Sequence, residues 1–340
     1  MKILFTLSRF PYPLEKGDKL RAYYQIKNLS AHHEVVVFAL SDKTITADEL
    51  KQVEKICKKA EVFHLSRFSI LINLFKALFG KLPLQVAYFY SSKAKKQLDE
   101  LIKNDKPDHI FCQLVRTAEY VKDNESIPKT LDYMDVFSKG VERRISTAPF
   151  YLRPIYKMEY KRLSAYEENV FTRFKNKIII SKQDRDLIPH PQKESIVVIS
   201  NGVDTDYFKP SPNPSPNLSP KGERFKEFDI LFSGNMNYPP NIESAEYLVG
   251  KILPLVKKKY PNVKVLISGA NPSQRILSLA SDNVKISGWV NDIRENFACS
   301  KMLVAPMFLS IGLQNKLLEA MAMQIPCITS TLANNALGAE

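Results

Sequence analysis

The sequence predicts an α/β protein of two doubly wound domains, and three observations carry that expectation. Its 340 residues exceed what one core holds at roughly 100–200 residues per domain. Short apolar runs alternate with helical patterns, the order that builds βαβ units and parallel sheets. A segment rich in Pro and Ser, KPSPNPSPNLSPKG at 209–222, interrupts that alternation once and has no large apolar cluster from which to form a core.

The elements follow in order. Residues 2–7, 34–40 and 62–65 read as buried strands, separated by helical patterns at 19–30 and 47–58. Further strands are expected at 109–113, 129–133, 177–180 and 196–199, with a long helix over 152–174. Beyond the Pro-rich spacer a second series begins with strand 229–233, helix 242–259, strand 263–268 and helix 273–280. It continues with strand 284–287, helix 293–298 and strand 302–305, and closes on helix 314–323, a turn at 324–326 and strand 327–330. The expected division is 1–198 for the first domain, 199–228 for the linker and 229–340 for the second domain.

Composition excludes several classes. Hydrophobic residues make up 44% and charged residues 25%, which rules out wholesale disorder. Cys57, Cys112, Cys299 and Cys327 lie far apart with no C-x-x-C pair, so neither a disulfide framework nor a zinc site is suggested, and no metal is expected. A reducing, cytoplasmic location fits. The opening MKILFTL is cut off by Ser8, Arg9, Pro11 and Pro13 far below the length of a signal peptide's apolar region.

The formal net charge is +13, and residues 1–200 carry 35 of the 49 basic but 24 of the 36 acidic side chains, or +11. Such a surface suits nucleic acid, anionic lipid or phosphorylated substrates. Nucleic acid is the poorest of these, because no basic helix, aromatic platform or zinc finger is available for a groove. No apolar run reaches the ~20 residues that cross a bilayer. In FSILINLFKALF, residues 68–79, Ile70, Leu71, Leu74, Phe75, Leu78 and Phe79 recur at helical spacing with Arg67, Lys76 and Lys81 around them. That pattern fits a helix lying on a membrane surface, and equally a helix packed on its own core.

The richest stretch is APMFLSIGLQNKLLEAMAMQIPCITS, residues 305–330. It places Asn315, Lys316 and Glu319 in the first turns of a helix, so all three lean toward whatever meets its N-terminus. Open N–H groups and a lysine there suit a phosphate, and Glu319, one turn deeper, suits a diol such as a ribose. A capped helix with an incidental Lys/Glu pair is the structural alternative. Asp132 and Asp135 follow a strand, and either could serve as a helix cap, Asp135 for a helix at 136–143.

The segment 305–330 resembles the donor-binding signature of family-4 glycosyltransferases, which ends in L-L-E-A-M-A followed by G-x-P. ISNGVDTDYFKP at 199–210 is similar to the same family's P-N-G-V-D-x-x-x-F-x-P. FSGNMNYPPN (232–241), DYMDVFSK (132–139) and GLQNKLLEAMAM (312–323) look like the subgroup associated with exosortase and exopolysaccharide loci. The resemblance implies the GT-B fold, two Rossmann-like domains facing across a cleft, with an acceptor on the first and a nucleotide diphosphate sugar on the second. It implies a hexosyltransferase type of enzyme that transfers a sugar with retention to a lipid-linked or polysaccharide acceptor, without cofactor or metal, at the inner face of the cytoplasmic membrane. Peripheral contact would run through 68–79.

By the same resemblance the donor is held by Gly234, Asn235, Gly312, Gln314, Asn315, Lys316 and Glu319. Gly17, in PYPLEKGDK, is placed where the family keeps a glycine facing the diphosphate and sugar, and Asp135 where it carries a His or Asp pointing at the sugar. Departures are equally specific. The family's basic pair after the first strand of the second domain is replaced by Asn235 and, approximately, Pro240 and Asn241. Apolar Phe308 and Ile311 stand where an arginine and a glutamate or arginine are expected. Lys316 is then the principal cation, with Arg275 and Arg294 as candidate helpers. The sequence stops after TLANNALGAE, short of the helices that normally complete the fold, so the second domain is expected to be incomplete at its C-terminus. An inactive remnant that binds without transferring, and a sugar-nucleotide epimerase of similar shape, are the competing readings.

Overall fold

A computed structural model describes residues 1–210, 226–308 and 313–339. The chain forms two compact units, Met1–Ser200 and Asn201–Glu340.

In unit 1, among the described residues, a seven-stranded parallel sheet is built from β1 (Lys2–Leu7), β2 (Glu34–Ser41), β3 (Lys59–His64), β4 (His109–Gln113), β5 (Lys129–Asp132), β6 (Asn176–Ile179) and β7 (Val197–Val198). Its order is β3-β2-β1-β4-β5-β6-β7. KILFTL and EVVVFALS are near-continuous apolar runs because both faces of a parallel sheet are covered. Ile3, Phe5 and Leu7 enter one core layer and Leu4 the other, as alternation along a strand requires. The helices are α1 (Gly17–Ser30), α2 (Ala47–Glu54), α3 (Arg67–Phe79), α4 (Leu84–Phe89), α5 (Ser92–Asp105), α6 (Phe137–Thr147), α7 (Arg153–Arg173) and α8 (Lys182–Leu187). The strand order reverses between β1 and β4, and an open sheet offers its ligand crevice at the carboxyl ends of such strands.

Unit 2 carries a five-stranded parallel sheet, again among the described residues, of β8 (Phe228–Ser233), β9 (Val265–Ser268), β10 (Val284–Gly288), β11 (Ser300–Ala305) and β12 (Cys327–Thr329) in the order β10-β9-β8-β11-β12. Around it lie α9 (Pro239–Tyr247), α10 (Leu253–Lys257), α11 (Gln274–Leu277), α12 (Ile293–Ala298), α13 (Asn315–Ala322) and α14 (Thr331–Leu337). The single helix expected over 242–259 is broken: a π turn at Leu248–Ile252 joins α9 to α10. Pro254 lacks the N–H that would continue the α ladder, so the backbone widens just before it. Most of the Pro-rich spacer lies outside the described residues. The motif ahead of it folds onto unit 2, where Asp204 Oδ1 accepts from the Tyr207 N–H at 3.0 Å and Phe208 packs on the core beside Phe297.

Helix α3 packs one side on the core and leaves the other exposed. Ile70 and Ala77 are buried and Leu74 packs on the core, while Phe68, Leu71, Phe75 and Phe79 are 75%, 65%, 64% and 80% exposed. Its core face is thus narrower than the apolar stripe. Among the described residues no helix is long and apolar enough to cross a membrane.

Candidate functional site

The reversal point of unit 2 falls between β8 and β11, and the candidate donor residues collect there. β8 is followed directly by Gly234 (φ 153°) and β9 by Gly269 (φ 148°), backbone conformations that L side chains rarely adopt. A Cβ on Gly269 would lie 1.6 Å from the Gly234 carbonyl oxygen, and one on Gly234 would lie 2.7 Å from Asn241 Nδ2 and 3.2 Å from Lys316 Nζ. The two strand ends therefore close to bare backbone, and Lys316 sits beside them.

Lys316 is 8% exposed. Its ammonium donates to Asn241 Oδ1 at 2.9 Å and lies 4.5 Å from the centre of the Phe232 ring. Asn241 in turn donates from Nδ2 to the Asn235 carbonyl at 3.0 Å, so the residue that stands approximately where the family keeps a cation holds the remaining cation in place. Asn235 uses its side chain locally, Oδ1 accepting from the Asn237 N–H at 3.0 Å. Asn315 opens α13 and accepts from Asn201 Nδ2 at 3.1 Å, which joins the two sequence motifs. Gln314 is the N-cap residue, with no side-chain cap bond, so the first N–H groups of α13 are left to other partners.

One turn along, Glu319 is partly buried, and its carboxylate has no hydrogen-bond donor among the described residues. Burial pushes that carboxyl up to about 7, with Lys316 pulling the other way, and burial pushes the Lys316 ammonium down to about 7. A site with a reluctant cation and an unsatisfied acceptor gains from a ligand that supplies negative charge to one and hydroxyl donors to the other.

The candidate helpers are engaged elsewhere. Arg275 makes a bidentate pair with Glu246 at 2.8 and 2.6 Å. Arg294 closes on Asp292 at 2.5 Å, stacks 4.0 Å from the Tyr207 ring and donates to the Tyr207 carbonyl at 3.1 Å. Arg275 pairs with a carboxylate far away in sequence, whereas the partner of Arg294 lies two residues before it. Phe308 is 50% exposed and packs edge-on against Tyr247 with ring centres 4.5 Å apart. Gly312 and Ile311 lie outside the described residues.

In unit 1, Asp132 and Asp135 part company. Asp132 is fully buried, and its Oδ2 accepts from Arg21 Nε at 2.7 Å and Gln25 Nε2 at 2.9 Å. Met134 then takes φ 57°, turning the chain so that Asp135 leaves the strand line. Asp135 does not cap α6, whose N-cap residue is Val136, and its carboxylate has no hydrogen-bond donor among the described residues. Burial, then the neighbouring Asp184, Asp18 and Asp132, lift it to about 7, against the pull of Arg116. Gly17 is the first residue of α1; a Cβ there meets nothing within 4 Å, so nothing inside unit 1 demands a glycine.

The sequence reading missed what holds this loop. Glu167 on α7 is fully buried and receives the Ser138 N–H at 3.2 Å and the Ser138 hydroxyl at 2.5 Å at the start of α6. Glu159, two turns earlier, receives the Leu84 and Gln85 N–H groups at 2.7 and 3.0 Å at the start of α4. Arg162 donates to the last carbonyls of α3, at Ala77 and Leu78. Among the described residues no group of three or more His, Cys, Asp or Glu side chains could hold a metal ion.

Comparison with known proteins bears on the fold and on the second unit. Residues 227–338 match the family described as Glycosyl transferases group 1. An uncharacterised 44.6 kDa protein in the cps region of Klebsiella pneumoniae is 23% identical over 355 residues, covering 99% of this chain and 84% of its own. The crystal structure of HepE from Anabaena in complex with UDP and glucose superimposes with TM-score 0.67 at 15% identity, over 100% of this chain and 83% of that one. WaaG, a glycosyltransferase of lipopolysaccharide biosynthesis, superimposes with TM-score 0.62 at 16% identity, over 99% and 83% of the two chains. The chain therefore has the GT-B fold, and residues 227–338, within its second unit, carry the match to Glycosyl transferases group 1.

Proposed function

We propose that the enzyme moves a sugar, with retention, from a nucleoside diphosphate sugar held by unit 2 to a lipid-linked carbohydrate acceptor bound by unit 1. The observation that carries the donor half is the pair on α13: an unsatisfied carboxylate at Glu319 one turn beyond the buried ammonium of Lys316. A ribose diol supplies the donors that Glu319 lacks, and a diphosphate supplies the charge that stabilises Lys316. Gln314, Asn315, Gly234 and Asn235 surround the same place. Gly312 belongs to the proposal through the family motif alone.

As the glycosidic bond breaks, charge grows on the departing diphosphate and an oxocarbenium-like sugar forms. Lys316 and the N–H groups at the start of α13 meet the first. Asp135 is assigned to the sugar by the family motif, with Gly17 leaving room for the diphosphate. UDP is the first nucleotide to test, since HepE is known in complex with UDP and with UDP and glucose.

For the acceptor half, the outward face of α3 and the positive charge of the first 200 residues favour peripheral contact with an anionic membrane surface. The cps-region relative fits surface polysaccharide synthesis. A second reading, a protein that binds donor without transferring it, is favoured by the engagement of Arg275 and Arg294 in surface pairs. Calorimetric titration of UDP, followed by donor turnover with membrane extract, separates them: the transferase binds and turns over, the remnant binds only, and failure to bind UDP or any other nucleoside diphosphate rejects both.

A further inference from the structure

A cavity of about 570 Å³ opens in unit 1 at the carboxyl ends of β1 and β2, between the start of α1 and the inner side of α3 and α4. Its charged wall is unevenly matched. Arg9 pairs with Asp18 at 2.6 Å, Lys19 with Glu15 at 3.4 Å, and Asp42 is taken up by the Tyr88 hydroxyl at 2.7 Å. Lys16, Lys43 and Arg116 line the same space and, among the described residues, none has a carboxylate within salt-bridge distance.

Arg116 is the most telling of these. Its guanidinium lies 4.4 Å from the Phe137 ring centre and 5.3 Å from that of Phe89, the ring that Arg9 also overlies at 5.7 Å. One terminal nitrogen donates to Gln85 Oε1 at 2.8 Å, while its buried Nε has no partner. Two guanidiniums thus share one aromatic ring with a lysine nearby, and α1 begins there without a side-chain cap. Cations gathered this closely oppose one another unless an anion joins them. Burial and the neighbouring Arg9 lower both the Lys16 ammonium and Arg116, the latter to about 10. Toward α3 the lining becomes apolar and aromatic, with Leu74 and Tyr88.

We propose that this cavity seats a phosphate or diphosphate ester of the acceptor between Arg9, Lys16 and Arg116, with the ester's apolar part against Leu74 and Tyr88 at the root of α3. That the anion belongs to the acceptor rests on the transferase reading above; the anion site itself does not. Arg116 also pulls on the Asp135 carboxyl electrostatically, which links this cavity to the carboxyl assigned to the sugar.

The test uses the full chain with UDP present in excess, so that the donor residues of unit 2 are occupied, and titrates farnesyl diphosphate, farnesol and inorganic pyrophosphate by calorimetry. Farnesyl diphosphate is expected to bind, and Arg116→Gln to weaken it about tenfold or more, the scale of a charge-assisted contact. Lys16→Gln, at a partly exposed position outside the core, is expected to weaken it about fivefold. Equal binding of farnesol overturns the anion site, equal binding of pyrophosphate overturns the apolar half, and unchanged affinity in both variants overturns the whole. UDP binding is read in the same samples. Its loss from the unmodified chain rejects the transferase reading while the variant effects still decide the anion site.

Discussion

Helices α7 and α13 each carry acidic side chains out of water, and they treat them in opposite ways. On α7, burial lifts Glu159 and Glu167 as well, the latter to about 7, but both receive backbone N–H groups from the starts of α4 and α6 that offset part of that cost and fix geometry. On α13, Glu319 has no such donor, and its lysine neighbour makes its short hydrogen bond to a neutral amide. A compensated carboxylate holds a fold together; an uncompensated one marks a place where the molecule is incomplete without something bound. Asp132 and Asp135 repeat the contrast within four residues of chain.

Substitutions can break this comparison. The largest effect is expected at Glu167: its replacement by alanine strands the Ser138 hydroxyl and N–H at the start of α6 and should cost about 2–4 kcal/mol in urea denaturation. Glu319→Ala should leave that denaturation curve in place and weaken UDP binding by ~1.5–3 kcal/mol. If the two variants exchanged phenotypes, the distinction between compensated and uncompensated acids would fail.

Proton linkage gives a finer measure. Burial holds Lys316 down at about 7, so at pH 8 most of the unliganded sites are neutral, and a diphosphate that raises its pKa draws a proton in. Titrations at pH 8 in buffers of different ionisation enthalpy should report net uptake of a fraction of a proton, absent in Lys316→Met, and affinity should fall as pH rises above 7. The smallest effect on stability is expected on α3, where Phe75→Ser with Phe79→Ser should change unfolding by under about 0.5 kcal/mol per site yet reduce sedimentation with anionic vesicles. Unfolding of unit 1 would instead place both rings in its core.

The fold was legible because buried parallel strands are written as uninterrupted apolar runs such as EVVVFALS, and the candidate site on α13 because its residues lie within five consecutive positions of one motif. What stayed hidden is non-local. Glu159 and Leu84 are 75 residues apart, as are Lys316 and Asn241, and no periodicity announces either contact. Arg275 reads as an available cation until the fold brings Glu246 against it. Sequence sets Asp135 apart from Asp132 only by placing it further into the loop; the left-handed turn at Met134 is what takes it off the strand line.

The meeting of Gly234 and Gly269 sets a limit on how this enzyme can be altered. Where a side chain on Gly269 would begin, the Gly234 carbonyl already stands, and the two strand ends meet beside Lys316 as main chain alone. Selection acting on side chains finds nothing there to exchange, so a change in what the site accepts has to be achieved through its rim, with its foundation left untouched.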